Sequence, residues 1–196
     1  MKLITVLLLA LSAGIANAGD SNQSTTQVQE KFSSEGFVRF HLSPGGYRIR
    51  AGDSDKIQVT CEATPEQLKQ INVKIRAGAM SADVFVSNTP HNNFHATIEV
   101  PARTGLRVRM FAGEVVIDGV EGDKDVEVDA GRIEIRIPHP EQYGRRDASV
   151  HAGSIESSAF NVSKGGLFRS FEQKGPGKYR LHAHVATGEI QLRGAT

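Results

Sequence analysis

The sequence predicts an all-β chain: a parallel β-solenoid of the β-helix kind with an N-terminal antiparallel strand-rich region, the alternative being an antiparallel β-sandwich. Three observations predict it. A short phrase recurs five times, a Gly followed by a polar or small residue and then alternating apolar residues. Its copies start at Gly45, Gly113, Gly131, Gly153 and Gly188. Repetition at about 20 residues is the mark of a stacked-coil architecture. Between the copies apolar residues alternate with polar ones, which is the period of half-buried strands. Helical signal is confined to a single turn.

Taken in order, Met1 and Lys2 open the chain and an apolar run follows from Leu3 to Leu11. That run is too short for a permanent membrane helix. Ala16 and Ala18 then stand at the −3 and −1 positions of a cleavage site, so residues 1–18 read as a secretory signal peptide. Residues 19–35, rich in Ser, Thr, Gln and Asn, read as a flexible leader. Residues 36–100 read as a strand-rich cap. Within it Phe37, Val38 and Phe40 precede a Pro44-Gly45-Gly46 turn, Tyr47 and Ile49 share one face, and Ile57, Val59 and Cys61 share the next. Thr64, Pro65 and Gln67 form a helix-start signature, with Thr64 as N-cap, Pro65 at the first helical position and Gln67 as capping-box partner.

From Leu106 the repeat dominates. Leu106, Val108 and Met110 alternate, Gly113 turns the chain, and Val115 and Ile117 follow; Val126 and Val128 lead to Gly131, then Ile133, Ile135 and Ile137. Gly takes the positive-φ conformation that a sharp corner needs without steric cost. The spacings 18 and 22, between Gly113, Gly131 and Gly153, suit single coils. The spacing of 35 to Gly188 suits a coil carrying an excursion at 160–180, read as a protruding hairpin.

Composition narrows the function classes. Before leader removal 23 Lys plus Arg face 22 Asp plus Glu, and removing Lys2 balances them. A balanced chain with interspersed signs has no electrostatic footprint for nucleic acid or an anionic membrane. After signal removal no second apolar segment is long enough to span a membrane. Cys61 is the only cysteine, so an intrachain disulfide is excluded, and its place on an apolar strand face predicts a small buried hydrophobe.

His182 and His184 are the most suggestive pair of polar residues. With Leu181, Ala183 and Val185 inward, both point outward on one strand face. His151, one coil earlier, is a third candidate ligand for Zn²⁺ or Cu²⁺; ordinary solvated histidines are the plainer reading. Asp118, Glu121, Asp123 and Asp125 crowd one turn, but their spacing fits no calcium loop. Glu127, Asp129, Glu134, Arg136 and Glu156 face outward, as in a polysaccharide-active β-helix and as in any soluble solenoid. No pair among them is singled out by spacing, and no nucleophile motif or phosphate loop is present, so neither catalysis nor a cofactor is expected. Phe168, Phe171 and Tyr179, in the excursion, form either a contact patch or a cap on the open end.

The stretch from Gly113 through Val115, Ile117, Gly119 and Gly122, then Val126, Gly131, Ile133 and Ile135, resembles the bacterial putative-adhesin family. The opening at Gly45 and the close at Thr187 to Arg193 are similar to it too. This sequence departs in having Glu114, Arg132, Ser154 and Glu189 where the family usually has Asp after Gly. The resemblance implies a solenoid domain over 36–196, export, and a place in the periplasm, on the cell surface or outside the cell. The expected role is a non-enzymatic adhesin-like or envelope scaffold with an envelope, glycan or protein partner; the alternatives are a periplasmic metal or small-ligand binder and a polysaccharide-active enzyme.

Overall fold

A computed structural model describes residues 23–90 and 94–194; the expected signal peptide lies outside these residues. The strands are β1 Ser24–Lys31, β2 Phe37–Leu42, β3 Gly45–Gly52, β4 Lys56–Ala63, β5 Asn72–Ala77, β6 Ser81–Ser87 and β7 His95–Pro101. The long ones follow: β8 Gly105–Asp118, β9 Lys124–Ile137, β10 Tyr143–Ser157, β11 Val162–Lys174 and β12 Tyr179–Gly194. One helical turn, α1 Pro65–Leu68, carries the expected capping box: Thr64 Oγ1 accepts from Gln67 N and Gln67 Oε1 accepts from Thr64 N.

All twelve strands belong to one mixed sheet, in the order β1-β4-β7-β3-β8-β9-β12-β10-β11, with β2, β6 and β5 off that path. β8, β9, β12 and β10 run parallel, and β2 and β3 pair in parallel with the first and second halves of β8. These parallel ladders set aside the antiparallel sandwich.

The recurring glycines stand in register. Gly45 pairs with Gly113, Gly113 with Gly131, Gly131 with Gly188, and Gly188 with Gly153. Each marks a corner. β8 begins beside the start of β9, with Leu106 opposite Lys124, and only residues 119–123 connect the end of one to the start of the other. A straight 14-residue strand would carry its end roughly 40 Å away, and five residues reach less than about 20 Å. β8 therefore doubles back at Gly113. Its arms bury Leu106, Val108 and Met110 on one side and Val115 and Ile117 on the other, in one shared core. The inward parity switches from even to odd numbers across the corner, as the alternation in the sequence does.

Four expectations need correction. The polar stretch 24–31 is not a flexible leader: it is β1, an edge strand antiparallel to β4, anchored by the buried Phe32. A backbone ladder needs no apolar composition, only a free edge and an anchor. The N-terminal region is not simply an antiparallel cap, because β2, β3, β6 and β7 continue the parallel stack and only β1, β4 and β5 join it as antiparallel strands. The 160–180 excursion does not protrude: β11 lies along β10 as the last strand of the sheet. Finally, the phrase at Gly188 does not close the stack. Since β11 occupies one edge of β10, β12 takes the other, between β9 and β10.

Candidate functional site

The first arms of the stacked strands, before the glycine corners, present an outward face of polar residues in two rows. One row runs Asp83, Arg39, Arg107, Asp125, His182, Asp147, Glu172 across β6, β2, β8, β9, β12, β10 and β11. The second, two residues further along each strand, runs Phe85, His41, Arg109, Glu127, His184, Ser149, with Ser170 at its end. Inward neighbours such as Val126, Leu181 and Ala183 are fully buried, so the alternation that fills the core also aligns this face.

The rows are cross-linked by charge. Arg39 grips Asp83 with two hydrogen bonds of 2.7 and 2.9 Å, which hold that carboxyl below its ordinary range. Arg107 Nε donates to Asp125 Oδ2 at 2.8 Å, and Arg109 Nη2 reaches Asp125 Oδ1 and Glu127 Oε1, both at 2.9 Å. Partial burial pushes the Asp125 carboxyl up, but the hydrogen bonds from the two arginines prevail and leave it below the usual carboxylate range. Next in the row, His182 Nδ1 is hydrogen-bonded to Asp147 Oδ2 of β10, and its Nε2 stands 3.9 Å from Glu127 Oε1 of β9. His184 Nδ1 is hydrogen-bonded to Ser149 Oγ at 2.8 Å. Burial, then the nearby His151, push the His184 imidazole below its ordinary value.

The three histidines weighed as candidate ligands of one metal ion do not converge as a trio. His151 packs its ring edge-on to His184, centroids 5.0 Å apart, and tilts against Phe168 at 5.8 Å. Among the described residues, the set with ligand atoms within 4.8 Å of one another is Asp125, Glu127 and His182. In the sequence Glu127 reads as an outward residue and Asp125, two residues before it, as part of the acidic turn. Their meeting with His182 is not legible there, because it depends on β12 lying beside β9.

The acidic turn disperses: Asp118 pairs with Arg136 at 2.9 Å, and Asp123 Oδ1 accepts from Arg180 N at 2.8 Å. The outward carboxylates weighed for catalysis divide at the Gly131 corner. Glu127 and Asp129 lie on the first arm, whereas Glu134 lies on the second and, contrary to its outward reading, is buried, with Arg136 and Arg193 beside it at 3.2 and 3.5 Å. The family's Asp positions form a row as well, where Arg132 stands between Glu114 and Glu189 at 3.7 and 3.5 Å.

The aromatic trio also separates. Phe171 is buried against Phe160, Tyr179 is half-buried against Tyr143, and Phe168 is 78% exposed beside Leu167 at 66%. Cys61 is buried, and burial pushes its thiol up to about 11, so it packs as a small apolar side chain.

No family model and no curated protein matches the chain. Solved structures do. A putative cell adhesion protein from Clostridium sporogenes ATCC 15579 aligns over 88% of this chain and 100% of its own, with 12% identity and a TM-score of 0.55. A putative adhesin from Bacteroides fragilis NCTC 9343 covers 88% and 97%, with 9% identity and a TM-score of 0.40. A putative adhesin from Parabacteroides merdae ATCC 43184 covers 91% and 98%, with 11% identity and a TM-score of 0.32. The first of these likenesses establishes a shared fold. Among the described residues no helix is long and apolar enough to cross a membrane.

Proposed function

We propose that the chain is an exported, non-enzymatic β-solenoid that works as an adhesin-like or envelope scaffold module. The observation that carries this reading is the pair Leu167 and Phe168, both exposed, on the outermost strand. Phe168 is held at φ 50°, a left-handed conformation that costs an L-residue about 1–2 kcal/mol. An exposed apolar pair kept in such a conformation at the end of a sheet fits a contact surface better than a cap. Phe171 and Phe160 supply the cap. The apolar run and cleavage site of residues 1–18 support export to the periplasm or beyond. The fold shared with a putative cell adhesion protein agrees with the reading. Catalysis is disfavoured because the outward carboxylates of the two arms lie on different faces and Asp125, Glu127 and Glu134 are already engaged by arginines.

The test is binding of the mature chain, residues 19–196, to an array of bacterial envelope glycans and host matrix proteins, scored also for product release. Saturable binding that Leu167→Ala with Phe168→Ala abolishes at unchanged melting temperature is the expected result. Phe171→Ala is the control, expected to lower the melting temperature. Turnover on the array, or binding indifferent to the Leu167/Phe168 pair, would overturn the proposal.

A further inference from the structure

We infer that the outward face of β9 and β12 binds a divalent transition cation through His182 Nε2 and the carboxylates of Glu127 and Asp125. This site lies on the first arms of the strands and is independent of the Leu167/Phe168 patch.

Three features support it. The ligand atoms of the three residues already lie within 4.8 Å of one another, so only small side-chain movements bring them onto one ion. The imidazole is preset. Asp147 Oδ2, on the far side of the ring, accepts from Nδ1–H, so that in the neutral ring the lone pair lies on Nε2. That Nε2 faces Glu127 at 3.9 Å, a distance too long for a hydrogen bond between them. A carboxylate behind the ligating histidine is the usual outer partner of a metal-bound imidazole, orienting the ring and raising its basicity. One imidazole nitrogen with carboxylate oxygens is a donor set suited to Zn²⁺ and its neighbours rather than to calcium, which asks for six to eight oxygens.

The arginines set the strength of the site. Arg109 bridges Asp125 and Glu127, and Arg107 holds the far oxygen of Asp125. The three carboxylates Asp125, Glu127 and Asp147 are matched by Arg107, Arg109 and, 3.9 Å from Asp147, Arg145, so the cluster holds no excess negative charge to draw a cation in. A cation entering at Glu127 must displace Arg109, so affinity in the parent chain is modest, and Arg109 acts as a competitor occupying the site from within. This yields a signature that a purely structural ion-pair ladder lacks: removing Arg109 strengthens metal binding.

The experiment is calorimetric titration of the full mature chain with Zn²⁺, with Ca²⁺ as a second titrant and circular dichroism to confirm folding of each variant. One equivalent of Zn²⁺ is expected to bind. His182→Ala should abolish binding, and Asp147→Asn should weaken it by about 10–100-fold, the range for lost outer-shell partners. Arg109→Gln should tighten it several-fold, and a double variant His151→Ala with His184→Ala should leave it unchanged. No Zn²⁺ binding in either the parent or the Arg109→Gln chain would overturn the inference. So would binding that survives His182→Ala but is lost with His151 and His184, or binding of Ca²⁺ in preference to Zn²⁺.

Discussion

Lys124 is the residue whose chemistry the fold changes most. In sequence it stands between two aspartates in a turn and looks solvated. In the structure it opens β9 in the inward column, opposite Leu106 and Leu181, with 1% of its surface exposed. Its Nζ donates to the carbonyls of Val120 and Gly122 at 2.7 and 3.2 Å and contacts the Tyr143 hydroxyl. Burial pulls its pKa from 10.5 down to about 7, against the raising effect of Glu121 and Asp123. A neutral amine can keep both carbonyl acceptors with its two protons, while the Tyr143 hydroxyl, which burial keeps protonated, donates to the Gly122 carbonyl at 3.3 Å. Between pH 7 and 10.5 the unfolded chain therefore holds a proton that the folded chain has released. Stability rises with pH across that window by up to about 1.4 kcal/mol per pH unit. Below pH 7 both states are protonated, and the penalty is constant and fully present. The expected outcome, from urea melts between pH 6 and 10, is a stability difference between the parent and Lys124→Met that moves in favour of the parent as pH rises. A difference independent of pH would mean that Lys124 keeps its proton in the fold.

At the scale of the strand, the corner decides what is readable in a sequence. Gly131 has φ 138°, and a Cβ placed on it would lie 1.9 Å from the carbonyl oxygen of Gly113, which is backbone and cannot step aside. Gly113, Gly153 and Gly188 meet the same obstacle in the strand stacked beside each. The phrase recurs because each corner requires glycine twice over, for its dihedral angle and for the approach of the next strand. That made the corners, the inward alternation of each arm and the outward placement of His182 and His184 legible without coordinates. Nothing comparable marks an edge strand such as β1, whose side chains are mostly exposed and whose pairing rests on backbone alone. Gly131→Ala is expected to cost more than about 3 kcal/mol, combining a left-handed conformation with a backbone collision. Gly165→Ala, where the nearest atom to a new Cβ is 3.9 Å away and no positive φ applies, should stay within about 1 kcal/mol of the parent. Thermal melts of the two variants distinguish a steric column from a general dislike of side chains at strand glycines.

For the whole molecule, the telling feature is that the last strand in sequence is an interior strand in space. In the backbone ladder β9 and β10 are joined through β12, which pairs with both along its length. Equal phrases at Gly131, Gly153 and Gly188 carry no mark of this order. Spacing reveals coils but not their sequence in the stack, and the Asp125–Glu127–His182 cluster was hidden for the same reason. The order has a mechanical consequence. β12 buries Leu181, Val185, Ile190 and Leu192 completely, at about 1.5–3 kcal/mol for each such side chain, a sum comparable with the whole stability of an ordinary domain. Ending the chain after Lys178 should therefore leave the β10–β11 hairpin detached from β9 and abolish cooperative unfolding. Removing residues 19–31, which takes away β1 but keeps the anchor Phe32, should leave a cooperative transition at lower temperature. Hydrogen exchange of the intact chain provides the complementary measurement. Backbone amides of β12 are expected to exchange only through global unfolding, since opening that strand divides the sheet in two. Amides of β12 exchanging well before those of β8 and β9 would show that the two halves of the stack hold without it, and that its interior position is an arrangement of convenience rather than the tie between them.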